Sequence, residues 1–162
     1  MAKKARKKAA HKTAAKSTRK PVAKKKVARV RASSRPPLKV EPVRGADRRD
    51  VVGGVILDIG RAGNGRIKRM IYPPGFRWSR DMQPIVGTEY CQHAHVGFMV
   101  EGEIHVHYPD GCVDKFKAPQ IVVVAPGHDG RVVGNRPAVM IEFDFERETA
   151  ARFGMPNEHR HD

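Results

Sequence analysis

The chain has 162 residues and a formal net charge of +15, long enough for one compact domain with its own core and too short for two ordinary ones. The charge is unevenly placed: sixteen of the 32 Lys and Arg and none of the 17 Asp and Glu lie in the first forty residues, which leaves sixteen basic against 17 acidic residues in the remainder. That distribution excludes a uniformly basic globular nucleic-acid binder, since the body is nearly neutral and every glycine and aromatic residue falls after position 44.

Residues 1–44 read as a disordered tail rich in Lys, Arg and Ala, with no aromatic side chain and only scattered Val and Leu from which to build a core. Lys3, Lys4, Arg6, Lys7 and Lys8 open it, Lys24, Lys25 and Lys26 repeat the pattern, and Pro21 and the Pro36–Pro37 pair interrupt any helix. A block of cations free of acids is what phosphate neutralisation exploits, so non-specific contact with nucleic acid through residues 1–40 is the expected role. In composition the segment resembles the Lys/Ala-rich tails of histone-like proteins. A membrane partner is not expected, because no aromatic side chain and no apolar face stands beside the charges for insertion. No apolar run follows the basic start, and the longest, such as Ile121 to Ala125, fall far short of a span. The expected location is therefore the cytoplasm, with Cys91 and Cys112 as reduced thiols.

From residue 45 to about 150 the sequence reads as short strands cut by Gly and Pro. Val51 to Ile59 is broken at Gly53–Gly54, and Arg66 to Tyr72 ends at Pro73–Pro74–Gly75. Glu89 to Val100 and Glu103 to Tyr108 follow, the second closing at Pro109–Asp110–Gly111. Cys112 to Lys117, Gln120 to Ala125, Arg131 to Val133 and Val139 to Phe145 complete the series. In the last strand Val139, Ile141, Phe143 and Phe145 share one face and Met140, Glu142 and Asp144 the other. His105 and His107 alternate with Ile104 and Val106 and belong on an exposed face. Only Arg147 to Phe153, stopped by Gly154, has a helical pattern, and residues 151–162 form a short extension. Strands at this spacing argue for an all-β antiparallel sandwich or barrel. Gly63-x-Gly65 is not a phosphate loop, because no Lys-Ser/Thr and no strand-to-helix transition follow it.

Chemistry concentrates in Glu89-Tyr90-Cys91-Gln92-His93-Ala94-His95, where every odd position offers a metal donor. On a straight strand Cys91 and His95 would stand roughly 13 Å apart, too far to share one ion. A turn between Gln92 and Ala94 brings them within reach.

Here the sequence resembles the cupin superfamily, small jelly-roll barrels. Pro74-Gly75-Phe76-Arg77-Trp78-Ser79, Pro84-Ile85-Val86-Gly87-Thr88-Glu89, Cys91, His95-Val96-Gly97, Asp110-Gly111 and Pro126-Gly127-His128-Asp129 are similar to a bacterial single-domain branch. Gly87 and His93-Ala94-His95 also fit the start of the general first motif, but no acid follows at its spacing. Anchored on Gly102, the resemblance instead implies the ligand set Glu89, Cys91 and His95. Gly130 stands where the family's second motif carries its histidine, so a fourth ligand is missing from its usual place and His128 is the candidate substitute. The donor set suits Zn²⁺ best, with Fe²⁺ or Mn²⁺ as alternatives. Trp78, His93 and Met99 are the expected pocket residues, with His93 at the turn. The resemblance implies a cupin-type jelly-roll barrel, pairing as a homodimer, that holds a divalent metal and a small anionic or hydroxylated molecule. It assigns no reaction. The alternative is a metal-free sensory or binding module tethered to nucleic acid by its tail.

Overall fold

The computed structural model describes residues 38–161; the basic segment containing Lys3 to Lys26 lies outside the described residues. Nine strands follow in chain order: β1 Arg48–Val52, β2 Val55–Ala62, β3 Gly65–Tyr72, β4 His95–Glu101, β5 Glu103–His107, β6 Val113–Lys117, β7 Gln120–Val124, β8 Asp129–Val132 and β9 Ala138–Asp144. Three short helices complete the chain, α1 Trp78–Asp81, α2 Gln83–Val86 and α3 Thr149–Arg152. The architecture is all-β and antiparallel, as the punctuation of the sequence predicts. The expectation of a single helical segment is corrected: α1 and α2 hold four residues each, too short for a helical period to register in sequence.

Turn chemistry sets the hairpins. Gly53 and Gly54 both take positive φ, +57° and +81°, the backbone a two-residue turn needs to match the twist of β1 and β2. The strands divide into a six-stranded sheet in the order β1-β2-β3-β9-β4-β7 and a three-stranded sheet in the order β6-β5-β8. Read along the chain, the pairings are nested. β5 pairs with β6, β4 with β7, Cys91 with His128, Arg77 with Arg131, and β3 with β9, all antiparallel. A long nested hairpin rolled so that successive layers alternate between two facing sheets is a jelly roll. Close approach of β4 to β9 requires glycine at position 97, where a Cβ would lie 2.0 Å from the carbonyl oxygen of Ile141.

Burial alternates along the strands as a two-faced sheet demands. In β5, Ile104 and Val106 are buried and His105 and His107 take the outer positions. In β9 the buried face is Ala138, Met140, Glu142 and Asp144, whereas Phe143 is exposed. Two carboxylates thus point into the barrel, and the register explains them: Arg66 of β3 pairs with Asp144 and Lys68 with Glu142. Inside, the barrel is partly hollow, with a cavity of about 240 Å³ whose wall includes Met70, Phe76, Trp78, Met99, Val122 and Met140. Among the described residues no helix is long and apolar enough to cross a membrane.

Candidate metal centre

Cys91 and His128 are clamped together by backbone. The Cys91 N–H donates to the His128 carbonyl at 2.8 Å, and the Gly127 N–H donates to the Cys91 carbonyl at 2.7 Å. The His128 ring is then fixed by Nδ1, which donates to the Ala125 carbonyl at 2.7 Å, so Nε2 is the nitrogen left to face the other donors. Residues 92–94 are irregular, and they supply the turn that the reach between Cys91 and His95 requires. His95 opens β4 with Nε2 3.8 Å from Cys91 Sγ. Donor atoms of Cys91, His95 and His128 all lie within 4.8 Å of one another, on the cavity wall.

The other ring nitrogen of His95, Nδ1, makes a very short contact with Glu142 Oε1. Glu142 is fully buried. The second oxygen of Glu142 lies 2.5 Å from Lys68 Nζ, and the same ammonium is 2.5 Å from Asp144 Oδ2. Arg66 completes the ladder, its Nε donating to Asp144 Oδ1 at 2.7 Å. His93 stands beside them, Nε2 3.3 Å from Lys68 Nζ. Cations and carboxylates therefore alternate, and each compensates its neighbour's desolvation. Burial alone would push the His95 imidazolium down, but the Glu142 carboxylate and the Cys91 sulfur outweigh it and its pKa is pushed up to about 10. Burial would likewise raise the Cys91 thiol; hydrogen bonding to His128 and His95, and their charge, hold it well below the ordinary thiol value. Burial would also raise Glu142, and the charges of His95 and Lys68 keep it well below the usual carboxylate range. Without a metal these directions favour the charged forms of Cys91, His95 and Glu142.

Two overlapping donor groups meet at His95: Cys91, His95 and His128, and His93, His95 and Glu142. Only the first fits a metal ion well. Its sulfur and two imidazole nitrogens are free of competing cations, and each ring is steered through its other nitrogen, as metal-ligating histidines usually are. In the second group the carboxylate is already held by Lys68, and an ammonium at that distance opposes a dication. The sulfur and imidazole set suits zinc.

The sequence-derived candidates separate accordingly. Cys91, His95 and His128 come together, whereas Glu89 does not join them. Glu89 is exposed, with its carbonyl receiving the Gln83 amide, because Gly87 ends α2 in the left-handed conformation and the chain bends before Cys91. Trp78, His93 and Met99 all line the cavity. His93 lies in the irregular segment 92–94 and is about three-quarters buried against the charged ladder. Glu142 and Lys68 were not among the sequence candidates. The signal for them was faint: alternating carboxylates on β9 that match alternating cations on β3.

No protein-family model matches the sequence, and no curated protein matches it. Among solved structures the chain is similar to a Cupin 2 conserved barrel domain protein from Salinispora arenicola, at 13% identity over 72% of this chain and 96% of the other with a TM-score of 0.45. It is similar to KdgF from Halomonas, at 16% identity over 65% and 92% of the two chains with a TM-score of 0.44. It is also similar to a Klebsiella pneumoniae protein with a double-stranded β-helix domain, at 19% identity over 64% and 80% with a TM-score of 0.41. Such likenesses say nothing of ligand or reaction; the jelly-roll assignment stands on the nested strand pairing.

Proposed function

We propose that the barrel holds a divalent metal ion, zinc by its donor set, on Cys91, His95 and His128, and binds a small molecule in the adjoining cavity. The convergence of these three donors on the cavity wall, with both imidazoles oriented from behind by Glu142 and Ala125, carries the reading. Three protein ligands leave one position of a tetrahedral ion open toward the cavity. When bound, such an ion supplies a Lewis acid there. The protein's own groups define the rest: aromatic and thioether side chains exclude water, and Trp78 and His93 bound the space beside the donors. The metal-free binding module remains the alternative, in which Cys91 and His95 stay an ion pair.

Metal analysis of the reconstituted full chain tests this. Wild type should carry an ion at the barrel site, Cys91→Ser should lose it because a hydroxyl is a far poorer ligand than a thiolate, and His93→Ala should keep it. Loss in His93→Ala with retention in Cys91→Ser would favour the second donor group, and no ion in wild type would leave the metal-free reading.

Two further elements belong to the proposal. The tail binds nucleic acid without sequence preference, supported by its sixteen cations and absence of acids in residues 1–40. Two copies of the chain pair through the outer face of the larger sheet, where Ile67, Phe98, Ile121, Val123 and Phe143 are exposed on neighbouring strands.

A further inference from the structure

A second group of metal donors lies at the β5–β6 connection and shares no residue with the barrel centre. β5 leaves the sheet at Tyr108 and turns through Pro109-Asp110-Gly111, closed by the Tyr108 N–H donating to the Cys112 carbonyl at 3.0 Å and the Gly111 N–H donating to the Tyr108 carbonyl at 3.1 Å. The Cys112 N–H holds Asp110 Oδ1 at 2.8 Å, which aims Oδ2 outward over the turn. Onto this turn comes the C-terminal segment. His161 Nε2 lies 3.1 Å from Asp110 Oδ2 and 3.6 Å from Cys112 Sγ. His159 is stacked flat on the Tyr108 ring, centroids 3.7 Å apart and planes 13° apart. Its Nε2 is buried without a hydrogen-bond partner, 4.0 Å from Asp110 Oδ2.

An orphaned buried imidazole nitrogen facing a carboxylate, a thiol and a second imidazole is unusual, because a buried polar atom normally finds a partner. Donor atoms of Asp110, Cys112, His159 and His161 all lie within 4.8 Å of one another. Ligand bonds of about 2.0–2.3 Å to a tetrahedral zinc-type ion would set neighbouring donors roughly 3.3–3.8 Å apart, a small contraction from the arrangement present. Backbone offers the segment no other anchor of this kind: among the described residues the last backbone hydrogen bond is Met155 to Ala150. We propose that Asp110, Cys112, His159 and His161 form a closed, four-ligand site for a divalent ion of zinc type, which clasps residues 155–161 to the β5–β6 turn. Four protein ligands leave no open position, so the site is structural. Its ion also fixes the ring of Tyr108 through the His159 stack, and that ring stands 6.2 Å from His128 between centroids, so the clasp braces one wall of the barrel centre.

The test uses the full chain, stripped with a chelator and reconstituted with zinc alone. Wild type should hold two equivalents of zinc, Cys112→Ser and His161→Ala one each, Cys91→Ser one, and the Cys91→Ser/Cys112→Ser double variant none. His161 is 64% exposed, so its replacement leaves the core untouched even if Cys112→Ser disturbs folding. Digestion by a carboxypeptidase should be about tenfold slower for zinc-loaded wild type than for His161→Ala, because ligation removes the frayed state the enzyme attacks. If wild type holds one equivalent that Cys91→Ser loses and His161→Ala keeps, the clasp is overturned and the barrel centre stands. If His161→Ala loses the single equivalent and Cys91→Ser keeps it, the clasp stands and the barrel centre falls. Equal digestion with and without zinc would also overturn the clasp.

Discussion

His95 joins two different chemistries, with Cys91 Sγ near one ring nitrogen and the Glu142 carboxylate against the other. In the metal reading Glu142 never touches the ion; it orients the ring and raises its basicity. Glu142→Gln keeps an acceptor for Nδ1 and removes the charge. Zinc affinity, measured by competition with a chelator of known strength, should fall about 10- to 100-fold while saturating stoichiometry stays the same. Unchanged affinity would show that Glu142 does not support the ligand. Glu89→Ala should alter neither quantity, since Glu89 is exposed and away from the donors. Local sequence could reveal Cys91 and His95, because both lie in one short motif and the reach argument requires the turn between them. The carboxylate partner could not be read the same way. Glu142 is brought in from β9 by sheet register, 47 residues beyond His95, while the motif itself offered the nearer Glu89.

At the scale of elements, cross-strand charge pairing organises both faces of the large sheet. On the outer side Asp58 of β2 stands between Arg49 of β1 and Arg69 of β3 in register. Both guanidiniums bond its carboxylate and also reach the carbonyls of Val40 and Glu41, tacking the first described residues onto the sheet. Hydrogen bonding to Arg49, against the opposing effect of burial, lowers the Asp58 pKa below its ordinary value of 3.8. A carboxylate lowered in the folded state contributes stability that is fully present above its unfolded pKa and is lost as pH falls through the folded one. Asp58→Asn should therefore cost about 1–3 kcal/mol at neutral pH, from lost charge-assisted hydrogen bonds. The difference from wild type should shrink below about pH 4; urea titrations at pH 7 and at pH 3 measure both. A difference that persists or grows in acid would contradict the assignment. The hairpins were legible because glycine pairs and the Pro-Asp-Gly turn act locally. The inward face of β9 was not, because its aromatic side lies outward and the cations that balance Glu142 and Asp144 come from a strand some seventy residues earlier.

For the whole molecule, the jelly roll places a partly hollow core, a metal-competent wall and an exposed apolar sheet face on one small barrel. Ile121, 70% exposed, and Phe98 sit opposite each other in register on that face. Sedimentation velocity should report a dimer for wild type and a monomer for the Phe98→Lys/Ile121→Lys variant. A monomeric wild type would remove the pairing proposal. In gel-shift titrations at low salt the full chain should bind DNA and RNA of any sequence, and a chain beginning at Glu41 should not. That binding should weaken steeply with added salt, as release of counterions requires; equal affinity for both chains would place it elsewhere. The block of sixteen cations in residues 1–40 is visible without tertiary context, and the binding proposed for it rests on that charge alone.

The central claim is that Cys91, His95 and His128 share one ion, and an anomalous difference map at the zinc edge from crystals of the zinc-reconstituted full chain examines it directly. The expected result is a peak within bonding distance, about 2.0–2.3 Å, of Cys91 Sγ, His95 Nε2 and His128 Nε2. A zinc-soaked crystal with no peak there, or with its only barrel peak between His93 and Glu142, would contradict the account.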